Sequence, residues 1–484
     1  MVSDIREALG NLHVATQVAV LDRLGAAFQG RGYELSLVGG PVRDAFLGRE
    51  ISDFDLTTDA RPDQTMAILA PMASAHWDVG REYGTIGARI DGLQVEVTTY
   101  RSDRYDHRSR KPEVDFGDTL EADLRRRDFT VNAMALRLPS RTLVDPFNGL
   151  SDLMAGVLRT PAPAVESFAD DPLRMMRAAR FVSQLGFTVE PSALKAIVEL
   201  TSTLTLVSAE RIQAEFTKLM LGGDPESGIE VLVDTGLADE FLPEVPGLRL
   251  EVDEHHHHKD VYRHTLTVLR QAIDQEEDGP DLVLRLAALL HDIGKPKTRR
   301  LEPGGKVTFY QHDLVGARMA RKRLTALRFD KDTTSAVCRL IELHLRFFGY
   351  AEGAWTDSAV RRYVRDAGDL LPRLHKLVRA DVTTRNAAKA RRLRQAYDDI
   401  ERRIDELAAQ EELDAIRPDL DGTQIMAELG VSPGPVVGKA YAFLLEQRLD
   451  EGPLGESEAR RRLRSWAQQN IPGWGDASAG QSDR

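Results

Sequence analysis

Apolar positions along the chain change their period twice. From residue 1 to about residue 30 they recur every three to four residues. Val14, Val18, Leu21, Leu24 and Phe28 fall roughly on one stripe, which predicts an N-terminal amphipathic helix over 1–32. From Tyr33 to about Leu150 the pattern is mixed. "YELSLV" alternates, and "DFDLTT" is a short strand. "TIGARIDGLQVEVTTY" reads as a hairpin around Asp91-Gly92, the dipeptide a type I′ turn favours. After "VDPFNGLSDL" the strand signal disappears, and from Asp171 onward almost everything reads as helix. The interruptions are "GGDPESG", "LPEVPGLRLEVDE", "EEDGPD" and "LEPGGKVTFYQHD", the last with room for a small hairpin. "GWGDASAGQSDR" reads as disordered, and no internal repeat is present. The expected architecture is an α/β head followed by helical modules.

The segment "LVGGPVRDAFLGREISDFDLTT" carries the first chemistry. The strand "LSLV" delivers the chain to Gly39-Gly40, where glycine lets the backbone approach a ligand closely. Pro41 suits a first helical turn, so free N–H groups point at whatever sits there, and Arg43 adds a full charge. The chain returns through "SDFDLTT". Residues two apart share a face of a strand, so Asp53 and Asp55 point one way while Phe54 enters the core. Paired carboxylates suit Mg²⁺, a hard cation that prefers oxygen. The candidate third carboxylate is Glu96 in "LQVEVTTYR", between core-type Val95 and Val97. Metals bridged in this way stabilise the attacking and leaving oxygens of phosphoryl transfer. Alone, a GG or a D-x-D is a weak signal, and a turn, a cap or an exposed cross-strand glutamate explains each. The order strand, GG, helix, strand, D-x-D is stronger.

Composition changes this picture little. The 484 residues, 42% of them hydrophobic, allow several ordinary cores. No apolar run is long enough to cross a bilayer, "MVSDIREALG" is no signal peptide, and the single cysteine, Cys338, excludes an internal disulfide. A soluble, cytoplasmic protein is expected. The net charge of −12 argues against a general affinity for nucleic acid, but phosphate contacts need only a local basic surface. "YRSDRYDHRSRK", "DLRRRD", "RNAAKARRLRQ" and "EARRRLRSW" are candidates, each also explicable as a solvated helix face or loop.

With these residues in view the sequence resembles the class II tRNA nucleotidyltransferases, the CCA-adding enzymes, whose close relatives include bacterial poly(A) polymerases. The resemblance runs in order from about Leu37 to Leu221. "LVGGPVRD" with "DFDLTT" resembles the family's first motif, which supplies the phosphate loop and the metal carboxylates. "DLRRRDFTVNAMA" resembles the second, linked to sugar and nucleotide binding, with Arg126, Arg127, Asp128 and Asn132 as its polar set. "DPFNGLSDL" resembles the third, a flexible link between head and neck. "DDPLRMMRAARF" resembles the fourth, which reads the incoming base, and "AERIQAEF" the fifth, which braces the neck. The fourth motif usually begins Glu-Asp. Here it begins Asp170-Asp171, which puts only local bracing in question. The fold implied is α+β: a polymerase-β-type nucleotidyltransferase head with a mixed sheet and helices, then an all-α neck, an HD domain and a helical body and tail.

Asp171 and Arg174, three apart, are neighbours on a helix surface. Cytosine and adenine both present an exocyclic amine beside a ring-nitrogen acceptor. A carboxylate accepts from the amine and an arginine donates to the ring nitrogen. Uracil and guanine put a carbonyl where the amine would be, a costly mismatch when buried. No nucleic-acid template is then required. Arg177, one turn on, is a candidate for the base or the phosphates. By itself, Asp171 before Pro172 is simply a good N-cap.

A second set lies in "VYRHTLTVL", "AALLHDIGKPK", "YQHDLVGARMA", "IELHLRFF" and "VRADVTTR". His264, His291, Asp292, His312, His344 and Asp381 each stand beside core-forming residues, which suggests a metal pocket within a helix bundle. The order H…HD…H…H…D resembles the HD phosphohydrolases, in which such residues bind one or two divalent metals. Lys295 is placed to meet a phosphate. A lone helical histidine is more often a surface or satisfied core residue. Some family members carry an HD domain with phosphatase or phosphodiesterase activity on nucleotides or 2′,3′-cyclic ends. The internal run His255–His258 receives no ligand role.

The domains expected are the N-terminal helix (1–32), the nucleotidyltransferase head (33–150), the neck for base recognition and RNA binding (151–250), the HD domain (251–390), the helical body and tail (391–470) and a disordered end (471–484). The resemblance implies addition of C, C and A to tRNA from CTP and ATP with Mg²⁺ in the head, and a divalent metal in the HD domain. The tRNA would be read by backbone and shape along the basic helical body. No membrane and no obligatory protein partner are expected. Poly(A) polymerase or an A-only or C-only enzyme is the alternative within the fold. A hydrolase acting mainly through the HD site, or a non-catalytic RNA-binding protein, is disfavoured by the intact Gly39, Gly40, Asp53, Asp55 and Arg174.

Overall fold

The computed structural model describes residues 5–51, 53–78, 80–104, 113–116, 119–250, 261–303, 307–347, 350, 355–383, 386–411, 417–472 and 474. The chain divides into two compact units, Met1–Pro246 and Gly247–Arg484. His255–His258 lies outside the described residues.

The first unit is built on strands β1 (Leu35–Val38), β2 (Phe54–Thr58), β3 (Ala75–Trp77), β4 (Thr85–Ile90), β5 (Leu93–Thr99), β6 (Arg101–Arg104), β7 (Glu113–Phe116), β8 (Ala135–Leu138) and β9 (Thr142–Val144). Seven of them form one sheet in the order β3-β4-β5-β2-β1-β8-β9, and β6 and β7 pair as a separate hairpin. Within the large sheet β2 pairs with β5 in parallel, and the other neighbours are antiparallel. A parallel pair needs a crossover, supplied here by the helix Pro62–Leu69 with β3 and β4. Asp91 and Gly92 both have positive φ, 51° and 84°, as a type I′ turn requires, so the β4–β5 hairpin forms where the sequence marks it.

The expected single N-terminal helix is two, Ile5–Thr16 and Ala19–Gln29. Val18 is extended (φ −111°, ψ 120°), and the Thr16 hydroxyl donates back to the Leu12 carbonyl at 2.7 Å. The break turns Val14 outward to 74% exposure, while Leu21, Leu24 and Phe28 stay fully buried. β1 is buried along its whole length rather than alternating, because it lies inside the sheet between β2 and β8.

After the head, Leu173–Leu185 forms the central helix of the neck, with Ala209–Met220 and Pro225–Asp234 packed against it. Val157–Leu158 pairs in parallel with Thr188–Val189. Two-residue strands carry no readable period, so the all-helical expectation omits them.

The second unit brings together the helices Val261–Ile273, Leu282–Leu290, His312–Ala326, Lys331–Leu343 and Leu371–Ala380. The small hairpin is present as Arg299–Leu301 against Val307–Phe309. The boundary expected at 390/391 falls inside a continuous helix, Ala387–Glu411, because no Gly or Pro punctuates it. Farther on, Gly422–Leu429, Pro435–Glu451 and Glu456–Asn470 close over Leu420, Ile425, Leu444 and Leu463. Ile471 and Trp474 pack on that core, and the Trp474 indole N–H donates to the Leu429 carbonyl at 2.9 Å. The end expected to be disordered from 471 is therefore anchored at its start.

Candidate functional site

In the head, the β2–β5 register sets Asp55 directly beside Glu96, flanked by the pairs Phe54–Val95 and Leu56–Val97. Phe54, Val95 and Val97 are buried, so both carboxylates stand on the opposite face. Asp53 is exposed and lies one residue before β2. The Asp55 side chain opens to solvent, yet protein on its flanks thins the water around it. This desolvation raises its pKa above the ordinary carboxylate value; Arg127 works against the rise, and Glu96 and Asp53 add to it. Three repelling carboxylates with oxygen-only donors fit a divalent cation such as Mg²⁺.

The glycine turn adjoins this set. Gly39 has φ 75°, and a Cβ there would lie 2.9 Å from Arg127 Nη1, so the Arg127 guanidinium rests against the bare backbone. Gly40 opens the short helix Gly40–Phe46 with Pro41 in its first turn. Arg43 does not stand free: it forks onto Asp44 (3.0 and 2.7 Å) and donates to Asn132 Oδ1 at 2.7 Å.

Sequence reasoning missed the residue that holds the second motif together. Asp123 is fully buried. It accepts from Arg126 Nε and Nη2 (3.1 and 2.9 Å), from Arg127 Nη2 (3.2 Å) and from the Arg101 backbone N–H (3.3 Å). Burial alone would raise its pKa, but Arg127 and Arg126 hold it below the usual range. Its spacing of three and four residues from two arginines was the available signal.

From Arg43 a polar chain runs into the neck. Asn132 Nδ2 donates to Asp128 Oδ1 at 3.0 Å, and Arg177 Nε donates to Asp128 Oδ2 at 2.7 Å. Burial opposes ionisation of Asp128, yet Arg177, Asn132 and the Phe129 N–H hold its carboxyl far below the ordinary range. Arg177 also lies 3.7 Å from Glu215 Oε1, and Arg180 Nε lies 2.6 Å from Glu215 Oε2. Burial lowers the Arg180 pKa to about 10. The guanidinium of Arg177, a candidate for touching base or phosphate, is thus engaged as a brace between the second, fourth and fifth motifs.

Asp171 caps its helix through the Leu173 N–H (3.2 Å) and pairs with Arg211 of the fifth motif at 3.1 Å. Arg174 donates to the Ser167 hydroxyl (2.8 Å) and to the Arg126 carbonyl (2.5 Å). The two therefore have separate partners.

The second centre is assembled at helix ends. His291, His344 and Asp381 are the C-cap residues of Leu282–Leu290, Lys331–Leu343 and Leu371–Ala380, and His312 is the first residue of His312–Ala326. His264 lies in the first turn of Val261–Ile273. Nδ1 of His291, His312 and His344 lies 2.8, 2.8 and 2.6 Å from the carbonyl oxygen of Ala288, Phe309 and Ile341, each three residues earlier. A carbonyl accepts only, so Nδ1 is the donor and Nε2 turns inward with its lone pair free in the neutral ring. His264 Nδ1 lies 2.9 Å from the Thr383 hydroxyl.

Ligand atoms of His264, His291 and Asp381, and likewise of Asp292, His312 and His344, lie within 4.8 Å of one another in each trio. Nε2 of His291, His312 and His344 is buried without a hydrogen-bond partner, an arrangement that fits a bound cation. Burial opposes a charge on His291, yet Asp292 raises its pKa. Burial, with His291 and His312 nearby, lowers His344 to about 3 and keeps it a neutral ligand. Lys295 Nζ lies 2.7 Å from Asp292 Oδ2. Gly294 permits this crowding: a Cβ there would sit 2.1 Å from the His312 carbonyl oxygen and hold the two histidine segments apart.

A nucleotidyltransferase head with a helical neck, followed by an HD-type metal centre, is the class of protein that this fold and these two sites define. Family models agree: "Poly A polymerase head domain" matches residues 35–159, "Probable RNA and SrmB- binding site of polymerase A" matches 186–248, and "HD domain" matches 261–386. The A-adding tRNA nucleotidyltransferase of Deinococcus radiodurans is 35% identical over 449 residues, 90% of this chain and 96% of that protein. The CCA-adding enzyme of Geobacillus thermodenitrificans is 43% identical over 213 residues, but this covers only 44% of this chain and 51% of that enzyme. Among solved structures, the CCA-adding enzyme of Bacillus stearothermophilus in complex with CTP has a TM-score of 0.65 at 25% identity, covering 97% of this chain and 99% of that one. The Thermotoga maritima CCA-adding enzyme complexed with tRNA, at 17% identity and a TM-score of 0.60, shares the fold over 95% of this chain and 98% of its own. The chain belongs to the tRNA nucleotidyltransferase and poly(A) polymerase family.

Proposed function

We propose that this chain adds nucleotides to tRNA 3′ ends, C, C and A from CTP and ATP, without a nucleic-acid template. The observation that carries the reading is the register that sets Asp55 beside Glu96, next to the Gly39–Arg127 contact. Asp53, Asp55 and Glu96 would hold Mg²⁺. When bound, Mg²⁺ supplies charge neutralisation at the attacking and leaving oxygens. Gly39 and Gly40 give the triphosphate close access to backbone N–H groups, and Arg127, steadied by Asp123, offers it a cation. Asp171 accepts from the amine of C or A, and Arg174 donates to the neighbouring ring nitrogen. Arg43, Asn132, Asp128 and Arg177 keep head and neck in register during the transfer. A cytoplasmic location follows from these substrates, and no protein partner enters the reading.

The long match to an A-adding enzyme favours a second reading, in which only A is added to ends that already carry C and C. Both readings use the same amine-sensing pair. Incubation with tRNA lacking three, two or one terminal nucleotides, with CTP and ATP singly and together, separates them. Ordered C, C, A addition supports the first. Incorporation of A alone, and only on the tRNA lacking one nucleotide, supports the second. Long A tails on unrelated RNA, or no incorporation, overturn both.

For the second centre we propose metal-dependent hydrolysis of phosphate esters, carried by the buried, partnerless Nε2 atoms of three histidines. His264, His291, Asp292, His312, His344 and Asp381 would hold the metal, and Lys295 would meet the phosphate. Unchanged metal content and unchanged hydrolysis in His291→Ala would refute this.

A further inference from the structure

Arginines in the second unit are, for the most part, neutralised locally. In the helix Glu456–Asn470, Arg460 pairs with Glu428 and Glu456, Arg461 and Arg462 pair with Glu458, and Arg464 pairs with Glu428. That basic stretch is an intramolecular ion-pair network, poorly suited to nucleic acid. Toward the C-terminal half of Ala387–Glu411, Arg402 and Arg403 are likewise paired.

The first two turns of Ala387–Glu411 differ. Lys389, Arg391, Arg392 and Arg394 are all exposed, and among the described residues none of the four is in an ion pair. Their placement opposes stability twice. Lys389 with Arg392, and Arg391 with Arg394, are like charges at i, i+3, which repel on a helix surface. Lys389, in the first turn, also stands where the helix dipole disfavours a cation. The apolar positions Ala390, Leu393 and Tyr397 fix one face into the core; Arg391 and Arg392 stand away from it, and Lys389 and Arg394 flank it on either side. Asn386, whose side-chain oxygen accepts from the Ala388 and Lys389 N–H groups at 3.0 and 3.1 Å, starts this helix three residues beyond Thr383, the partner of His264. Three residues of extended chain span at most about 11 Å. The first of the bare cations, Lys389, therefore follows within six residues of Thr383, whose hydroxyl meets the outer side of the His264 ring.

We propose that this face docks the phosphodiester backbone of an RNA strand whose 3′ end enters the HD centre, so that the centre acts on RNA ends rather than on free nucleotides. The inference rests on the phosphohydrolase reading and names its substrate class. A mononucleotide is too short to bridge the cluster and four cations spread along two helical turns, whereas a strand has a phosphate for each.

The test is the variant Lys389→Gln, Arg391→Gln, Arg392→Gln, Arg394→Gln in the full chain, loaded with Mn²⁺ or Ni²⁺. Two substrates are compared: an RNA of about twenty nucleotides ending in a 2′,3′-cyclic phosphate, and 2′,3′-cyclic AMP. The expected result is a tenfold or greater rise in KM for the RNA with cyclic AMP hydrolysis unchanged. The slope of log affinity for the RNA against log salt should fall by up to about 3, at about 0.7 per phosphate contact on a single strand. Thermal stability should be equal or higher, since repelling charges are removed. Equal RNA kinetics and an equal salt slope overturn the proposal, and so does a loss confined to nucleotide addition by the head. Absence of metal-dependent hydrolysis of either substrate by the unmodified protein overturns the phosphohydrolase reading itself, a distinct result.

Discussion

Asp123 shows how a single buried carboxylate organises a site it does not complete. It holds Arg126 and Arg127, and Arg127 in turn lies against Gly39. Asp123→Asn keeps the shape and removes the charge, leaving two arginines short of their partner. Loss of one member of a buried pair costs about 3 kcal/mol. We expect a lower urea midpoint and a KM for the nucleotide that rises more than kcat falls. Asp128 adds a pH signature. Its folded pKa is depressed, so its contribution is fully present above the unfolded value and is lost as pH falls through the folded one. Asp128→Asn should therefore destabilise most at pH 7, with the difference from the unmodified protein shrinking below about pH 4, near the unfolded aspartate value. Urea midpoints at several pH values check this. Gly39, Asp55, Glu96 and the histidines were legible as candidates because their residue types are chemically unusual where they stand. Asp123 and Glu215 were not, because a carboxylate on a charged helix looks the same in sequence whether it is solvated or buried under two arginines.

Elements carry information that residues do not. The pairing of β2 with β5 sets Asp55 beside Glu96, and no local pattern encodes that pairing, since forty-one residues separate the partners. The flanking Val95 and Val97 gave the face, and Glu96 is the carboxylate expected from a neighbouring strand; only the register sets it directly beside Asp55. The β4–β5 hairpin was legible because its turn needs two positive φ angles, which Asp-Gly supplies. The break between Ile5–Thr16 and Ala19–Gln29 was not, because the apolar stripe continues through it and no Gly or Pro marks it. In the neck, Glu215 on Ala209–Met220 joins Arg177 and Arg180 on Leu173–Leu185. Glu215→Gln takes the carboxylate from the buried Arg180 guanidinium and the 3.7 Å partner from Arg177, which keeps Asp128. We expect a destabilisation of about 3 kcal/mol, read by calorimetry, because Arg180 is left buried without its carboxylate.

At the scale of the whole molecule, the carboxylates Asp55 and Glu96 stand in the first compact unit and the histidine-aspartate cluster in the second. Their chemistries should be separable. Asp53→Ala with Asp55→Ala should abolish nucleotide incorporation, by roughly 10³-fold or more for a loss of about 4 kcal/mol of transition-state stabilisation, and leave metal-dependent hydrolysis intact. His291→Ala should do the reverse. Parallel radiolabel and phosphate-release assays on one preparation check both. A net charge of −12 proved uninformative about nucleic acid, because what matters is which cations remain unpaired. Finally, three of the six HD residues terminate helices. Helix tips fray before helix middles do. An ion seated there would clamp three tips at once, so that loading should slow amide hydrogen exchange at residues 288–291, 341–344 and 378–381 well before it shifts global melting, and chelation should let those same turns breathe while the rest of the bundle stays closed.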